Sequence, residues 1–249
     1  IVRELRKENG ELGVIFVNTF ISALLFRLGN VKKNIGYNRE GRGFLLDFSP
    51  EINYHKHYIN RYAFLFNEYI GNKYVYLPEL SLRYTGQKTF QFDNSHKTIA
   101  LYLGGENKEF RKYPDEYAVQ LLRLLNRQGY NLLLIGDEND NIKHTQYAEE
   151  ARIDHLINLT ARTTIEGFIN TIANVDLIIT IDSSALHIAA AVKTPFIALM
   201  GLSTSPTSTI LPKVPLGRIL KIENNLIREE DYIRNITPDL ILKTISELI

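Results

Sequence analysis

The stretch that decides the fold is residues 176–200, which read DLIITIDSSALHIAAAVKTPFIALM. Its two ends, residues 176–181 and 196–200, are almost continuously apolar, and the segment 184–192 between them suits a helix. Strands that are covered on both faces read as continuous apolar runs, whereas half-exposed strands alternate between apolar and polar residues. The stretch therefore predicts two buried parallel strands joined by a crossover helix.

The same alternation of strand and helix runs from Lys97 onward. Further strands are predicted at 98–103, 131–135, 156–159 and 218–222, and further helices at 114–127, at 141–152 and after Thr163. Thr163 and Glu166 have the spacing of a capping box. Repeated βαβ units predict one doubly wound, Rossmann-like domain over 97–236, followed by a C-terminal helix over 237–249 that Thr237 and Pro238 open.

The first third of the chain gives a weaker α/β pattern. Strands are predicted at 13–17 and 33–37, and helices at 19–28 and 55–70. A complete doubly wound sheet needs more than two strands. We therefore expect residues 1–85 to form a partial α/β domain, and the polar residues 86–96 to form a linker.

Composition excludes several classes of protein. The chain has 249 residues, a net charge of +1 and no cysteine, so a disulfide scaffold, a zinc–thiolate site and a thiol nucleophile are excluded. The near-neutral charge gives no global attraction to nucleic acid. No apolar run approaches the roughly 20 residues that span a bilayer, and no signal peptide is visible.

The turn at Asp182, Ser183 and Ser184 is the first candidate binding site. Its small residues leave backbone N–H groups open at the positive end of a helix, which is a favourable place for phosphate. An ordinary helix N-cap formed by Asp or Ser is an equally good interpretation. His187 lies in the first helical turn; a lone histidine is more often structural, but this one would lie beside the same phosphates.

Three other loops follow strands of the same predicted sheet. Gly201 and Ser203 follow the strand at 196–200, and Arg111 and Lys112 precede the helix at 114–127. Hydroxyl groups and cations can bind a diphosphate. An adjacent Arg and Lys is, however, more often a solvated pair of surface charges.

The loop after the strand at 131–135 is acidic. Glu138, or alternatively Asp140, would bond ribose hydroxyls, although a solvated acidic turn is as good an interpretation. The chain has no P-loop, G-x-G-x-x-G or G-x-S-x-G motif, and nothing in it requires a metal.

These residues resemble a known family. Residues 182–201, DSSALHIAAAVKTPFIALMG, resemble the signature D-S-G-x-x-H-x-A-A-A-x-x-x-P-x-x-A-L-F-G of the bacterial lipopolysaccharide heptosyltransferases, glycosyltransferase family nine. Residues 158–166 (NLTARTTIE) and 111–114 (RKYP) are similar to two further motifs of that family. Residues 18–25, 35–37 and 41–46 are similar to the middle of its acceptor domain.

The resemblance implies a GT-B fold of two Rossmann-like domains, the second of which binds the nucleotide-sugar donor. It implies transfer of heptose from ADP-heptose to the lipid A inner core with inversion. We expect a cytoplasmic protein that uses no cofactor, and peripheral contact with the cytoplasmic face of the inner membrane is a further option. Arg111, with Lys112, would neutralise phosphate, Asp182 would contact donor sugar or phosphate, and Glu138 the ribose. The residues implied around the diphosphate are Ser183, Ser184, His187 and Ser203, and Gly201 is a further donor-binding candidate.

The chain departs from the family pattern at several positions. Ser184 and Ala161 each replace a glycine, and Leu202 replaces a proline. The family's general base is an aspartate in an N-terminal Gly-Asp loop, which we expect to lie before Ile1. We therefore expect an N-terminally truncated acceptor domain, and the catalytic residue is unknown.

Two other functions remain open at this stage. One is a sugar-nucleotide epimerase of similar fold, which would need acidic catalytic residues. The other is a non-catalytic remnant that only binds nucleotide. Residues 55–70 and the basic residues Lys32, Lys33, Arg39 and Arg42 are candidates to face a lipid-linked acceptor, although a solvated basic loop is the simpler interpretation.

Overall fold

The computed structural model describes residues 1–75, 80–201, 211–212, 214–222 and 228–249. These residues divide into two compact units. Residues 1–75 belong to the first unit, and the described residues from Leu80 onward belong to the second.

Within residues 1–75, the first unit contains a two-stranded parallel sheet, three α-helices and a 3-10 helix at Arg42–Leu45. Its elements are α1 (Val2–Glu8), β1 (Leu12–Ile15), α2 (Phe20–Leu28), β2 (Lys33–Gly36) and α3 (Tyr58–Tyr69). Val14 of β1 lies opposite Ile35 of β2. The side chains of Ile15, Ala23 and Leu45 form a small core. Both predicted strands are thus present.

The helix predicted from His55 begins three residues later than expected. His57 is its N-cap, because the His57 ring nitrogen Nδ1 accepts a hydrogen bond from the Ile59 N–H at 3.4 Å. The chain before His57 is held differently, since the Arg61 guanidinium donates to the backbone carbonyls of Tyr54 and Lys56. His55 and Lys56 therefore lie outside α3.

A fully buried cation organises the loop after β1. The Arg42 guanidinium donates to the carbonyls of Val17 and Tyr37 and, at 2.9 Å each, to the Ser22 hydroxyl and the Asn18 side chain. Burial lowers the pKa of Arg42, but these bonds compensate the desolvated charge. Arg42 was a candidate to face a lipid-linked acceptor, and its complete burial shows that this prediction was wrong.

In its described residues, the second unit contains a six-stranded sheet with helices between the strands. Its elements are β3 (Thr98–Tyr102), α4 (Asp115–Arg127), β4 (Asn131–Leu134), α5 (Asn141–Ala151), β5 (Leu156–Asn158), α6 (Ile165–Ala173), β6 (Leu177–Ile181), α7 (Ser184–Val192), β7 (Phe196–Met200), β8 (Gly217–Lys221) and α8 (Pro238–Ile245). Short 3-10 helices cover Glu106–Arg111, Glu138–Asp140 and Glu229–Asn235.

The strand order is β5-β4-β3-β6-β7-β8, and every neighbouring pair is parallel. The residues of β3, β4, β6 and β7 are all buried, as their continuous apolar sequences predict. The predicted Rossmann-like sheet is therefore present, with its core on both faces of the central strands.

Two local details differ from the sequence-based expectations. The cap of α6 is Thr164, whose hydroxyl accepts from the Gly167 N–H at 3.1 Å, so the capping box predicted between Thr163 and Glu166 is wrong by one residue. Residues 86–96 contain no helix or strand, yet they bond to α6. The Gly86 N–H donates to the Asn170 side chain at 3.1 Å, and Phe90 and Phe92 pack against the core.

No helix in the described part of the chain is both long enough and apolar enough to cross a bilayer.

Candidate functional site

The predicted binding residues of the second unit lie at one edge of its sheet. The chain leaves β3 toward β4 on one side, and β6 lies on the other side of β3, so the strand order reverses between β3 and β6. Ligands of open α/β sheets bind at the carboxyl ends of the strands beside such a reversal. Arg111, Glu138, Asp182 and Gly201 all follow strands at this edge.

The turn after β6 forms the N-cap of α7, which was one of the two interpretations of this turn from the sequence. Ser183 is the cap of α7, and its hydroxyl accepts from the Ala185 N–H at 3.2 Å and bonds to the Thr180 hydroxyl at 3.0 Å. Ser184 is exposed, and Asp182 and His187 are half-buried. The Ser183 side chain is thus used within the turn, while Ser184, the first residue of α7, is exposed.

Gly201 permits a close backbone contact. A Cβ at this position would lie 2.6 Å from the carbonyl oxygen of Phe110. Glycine therefore lets the turn at Glu106–Arg111 lie against the end of β7, which brings Arg111 toward this edge. Ser203 and Leu202 lie outside the described residues.

The two cations before α4 have different surroundings. Lys112 donates to the Asp115 carboxylate at 2.8 Å, and Lys143 and the Tyr147 hydroxyl bond to the same group. Burial alone would raise the pKa of Asp115, but these hydrogen bonds lower it to about 2. Lys112 is thus held in an internal ion pair, whereas Arg111 is half-buried at the end of its turn.

The two candidate ribose-binding carboxylates after β4, those of Glu138 and Asp140, differ in their exposure. Asp140 is fully buried, and its carboxylate accepts from the Asp137 N–H at 3.0 Å. Burial raises the pKa of Asp140. Glu138 is exposed, so of these two residues only Glu138 presents its carboxylate to solvent.

Comparison with known proteins identifies the family. The profile of glycosyltransferase family 9 (heptosyltransferase) matches residues 1–230. The chain belongs to this family. It is therefore a glycosyltransferase, as the resemblance of the Asp182 stretch predicted.

Individual relatives agree with this assignment. Lipooligosaccharide heptosyltransferase 2 of Haemophilus influenzae is 26% identical over 269 residues, which cover 98% of this chain and 78% of the relative. The structure of Escherichia coli ADP-heptose lps heptosyltransferase II has a TM-score of 0.84 at 21% identity and covers 99% of this chain and 78% of that one. An Escherichia coli heptosyltransferase with ADP-2-deoxy-2-fluoro heptose has a TM-score of 0.74 at 16% identity, with coverage of 99% and 76%. The predicted GT-B-type α/β fold is confirmed.

Two residues of this glycosyltransferase that sequence reasoning missed lie at the same edge. Lys108 donates to the Asp137 carboxylate at 3.0 Å, and Thr180 supports the Ser183 hydroxyl. Thr180 has a sequence signal, because it is the polar residue of an otherwise apolar strand. Lys108 and Asp137 are 29 positions apart, and nothing in the sequence pairs them.

The described residues of this glycosyltransferase contain no cluster of side chains that could bind a metal ion. No group of three or more His, Cys, Asp or Glu side chains there is placed to hold an ion. The family assignment supports the transferase over the epimerase alternative. The donor-binding roles of individual residues stay predictions.

Proposed function

We propose that this protein transfers heptose from ADP-heptose to the inner core of lipopolysaccharide, with inversion at the anomeric carbon. The curated relative and both solved neighbours are named as heptosyltransferases, and one neighbour was solved with an ADP-heptose analogue. Family membership supports the same reaction class for this chain.

The observation that carries the donor assignment is the edge of the sheet between β3 and β6. There the amino end of α7 begins with an exposed serine, and Arg111 ends the turn that lies against Gly201. In a direct displacement the leaving ADP gains negative charge, and a helix amino end and a guanidinium both stabilise such charge. In this proposal Arg111 and the α7 backbone bind the diphosphate and Glu138 binds the ribose, while Lys112 stays paired with Asp115.

The acceptor is the lipid-linked inner core, and we place the reaction at the cytoplasmic face of the inner membrane. Peripheral contact with that membrane is supported by exposed apolar residues of the first unit. Phe44 is 75% exposed, Ile21 66% and Val17 62%. Large apolar side chains in water favour an apolar partner.

Isothermal titration calorimetry with ADP and UDP tests the donor assignment. We expect ADP to bind and UDP to bind at least about tenfold more weakly, which corresponds to about 1.4 kcal/mol. A second assay measures transfer of labelled heptose from ADP-heptose to heptose-free lipopolysaccharide. Strong binding of UDP with no heat from ADP would contradict the assignment.

The Arg111→Ala variant tests the site within the same experiment. Hydrogen bonds to charged groups contribute about 1.5–3 kcal/mol, so we expect ADP binding to weaken about tenfold or more. Arg127→Ala is the matched control, because Arg127 is an exposed arginine of the last turn of α4, at the other end of that helix. Equal effects of the two substitutions would contradict the placement of the diphosphate.

A further inference from the structure

The loops that follow β3 and β4 lie in backbone contact beyond the sheet. A Cβ at Gly105 would lie 2.5 Å from the carbonyl oxygen of Asn139 and 2.7 Å from the Cα of Asp140. No other residue fits at Gly105 without moving one of the two loops. The turn at Glu106–Arg111 and the turn at Glu138–Asp140 are therefore packed as one body.

An ion pair bridges the same two loops. The Lys108 Nζ lies 3.0 Å from the Asp137 carboxylate, and the Lys108 side chain is only 19% exposed. The Tyr102 ring lies under it, with its centroid 5.8 Å from Nζ. The Asp137 side chain is 47% exposed, so the pair is desolvated mainly on the side of Lys108, above the aromatic face.

Asp137 also fixes its own turn. One oxygen of its carboxylate accepts from the Asn139 N–H at 2.8 Å, and the Asp137 N–H donates to the Asp140 carboxylate at 3.0 Å. Glu138 lies between these bonded residues. The residue that pairs with Lys108 is thus the one that sets the backbone of the turn carrying Glu138.

We propose that the Lys108–Asp137 ion pair is a latch that holds Arg111 and Glu138 at the spacing required by the nucleotide of the donor. Lys108 belongs to the turn that ends at Arg111, and Asp137 immediately precedes Glu138. Lys108 and Asp137 are in this view positioning residues, and they act through their neighbours. The inference rests on the proposed donor site.

A double-mutant cycle on ADP affinity tests the latch. We expect Lys108→Met and Asp137→Asn each to weaken ADP binding about fivefold to thirtyfold, with the double variant no weaker than the worse single variant, because both remove one interaction. Lys108→Arg keeps the pair and should bind ADP within about threefold of wild type. An additive double variant, an Asp137→Asn variant with wild-type affinity, or no effect of either substitution would overturn the proposal.

Hydrogen exchange of the ligand-free protein tests whether the ion pair holds the two turns together, independently of whether the site binds ADP. We expect Lys108→Met and Asp137→Asn to speed exchange of backbone amides in 104–111 and 136–140 by about tenfold, because breaking the pair lets both turns open. Lys7→Met is the control, since it breaks the exposed Lys7–Glu4 pair of α1. Absence of ADP binding by wild type would reject the donor site but leave the exchange test intact. Unchanged exchange would reject the latch even if ADP binds.

Discussion

Ala161 has a backbone conformation that favours glycine. Its φ is 60°, and its N–H donates to the Gly136 carbonyl at 3.1 Å, which fixes the conformation. The heptosyltransferase signature has glycine at this position. The left-handed region costs an L-residue about 1–2 kcal/mol, whereas glycine adopts it freely.

We expect Ala161→Gly to raise the free energy of unfolding by about 0.5–1 kcal/mol, because relief of this strain exceeds the added entropy of the unfolded chain. Urea unfolding followed by circular dichroism measures the change. Ala148→Gly, inside α5, is the control and should lose about 1 kcal/mol. A loss of stability in Ala161→Gly would show that the Cβ of Ala161 makes a favourable contact.

His144 predicts a pH dependence of stability. It is fully buried, and its Nδ1 lies 2.8 Å from the Thr160 hydroxyl. Burial lowers the pKa of His144 from 6.5 to about 4. In the unfolded chain this histidine is protonated below about pH 6.5, whereas in the folded chain it stays neutral down to about pH 4. Protonation therefore favours the unfolded state, so the free energy of unfolding is unaffected by His144 above pH 6.5 and falls as the pH drops toward 4.

Between pH 7 and pH 5 we expect His144 to cost the folded state about 2 kcal/mol, at 1.36 kcal/mol per pH unit below 6.5. His144→Gln keeps a polar group for Thr160 but does not titrate. Between pH 7 and pH 5 the free energy of unfolding of this variant should therefore fall by about 2 kcal/mol less than that of the wild type. Urea unfolding at both pH values measures the difference. Parallel curves for the two proteins would show that His144 is protonated equally in the folded and unfolded states.

At the scale of elements, Asp115 joins the start of α4 to α5. Its carboxylate bonds Lys112 beside it, and Lys143 and Tyr147 on α5. The pKa of Asp115 is lowered from 3.8 to about 2 despite its partial burial. Its contribution to stability is therefore present above pH 4 and is lost as the pH falls through 2.

Asp115→Asn should lower the urea midpoint at pH 6, because three donors lose a charged acceptor. The gap between wild type and Asp115→Asn should narrow at pH 3, where the wild-type contribution begins to disappear. Asp154→Asn, at an exposed position, should leave the midpoint unchanged. A gap that stays constant from pH 6 to pH 3 would contradict the assigned bonds.

The strands were predictable from sequence, whereas helix starts were less so. Continuous apolar runs predicted β3, β4, β6 and β7 because strands covered on both faces read in this way, and the intervening helical segments supported the assignment. The cap at Thr164 was missed because Thr163 and Thr164 carry the same hydroxyl, so the local sequence does not distinguish the two. The start of α3 was missed because Arg61 draws the preceding backbone into its own hydrogen bonds.

The candidate site was predictable in place but not in detail. Parallel strands bring their following loops to one edge, so Arg111, Glu138 and Asp182 were placed there from topology alone. The burial of Asp140 depends on the close approach of Gly105. The pairing of Lys108 with Asp137 depends on that same approach, which no local sequence pattern encodes.

At the scale of the molecule, positive charge is concentrated toward the beginning of the chain. Residues 1–75 carry eleven Lys and Arg residues against seven Asp and Glu, whereas the whole chain is at +1. Two of the eleven, Arg42 and Arg61, are buried, so the other nine supply the positive charge of the surface. The exposed apolar residues Val17, Ile21 and Phe44 lie in the same unit. A unit that carries both surface positive charge and exposed apolar side chains suits an anionic lipid surface.

Substitution of Ile21 and Phe44 by serine tests membrane contact. We expect wild type to sediment with vesicles of phosphatidylethanolamine and phosphatidylglycerol more than with phosphatidylcholine vesicles. The double variant should lose about tenfold or more in partitioning, since a buried large apolar side chain contributes about 1.5–3 kcal/mol. Ile142→Ser with Ile165→Ser is the matched control, because these side chains of the second unit are 65% and 83% exposed. Equal losses in both double variants would indicate nonspecific hydrophobic adsorption, and no preference for phosphatidylglycerol would exclude the electrostatic part of the argument.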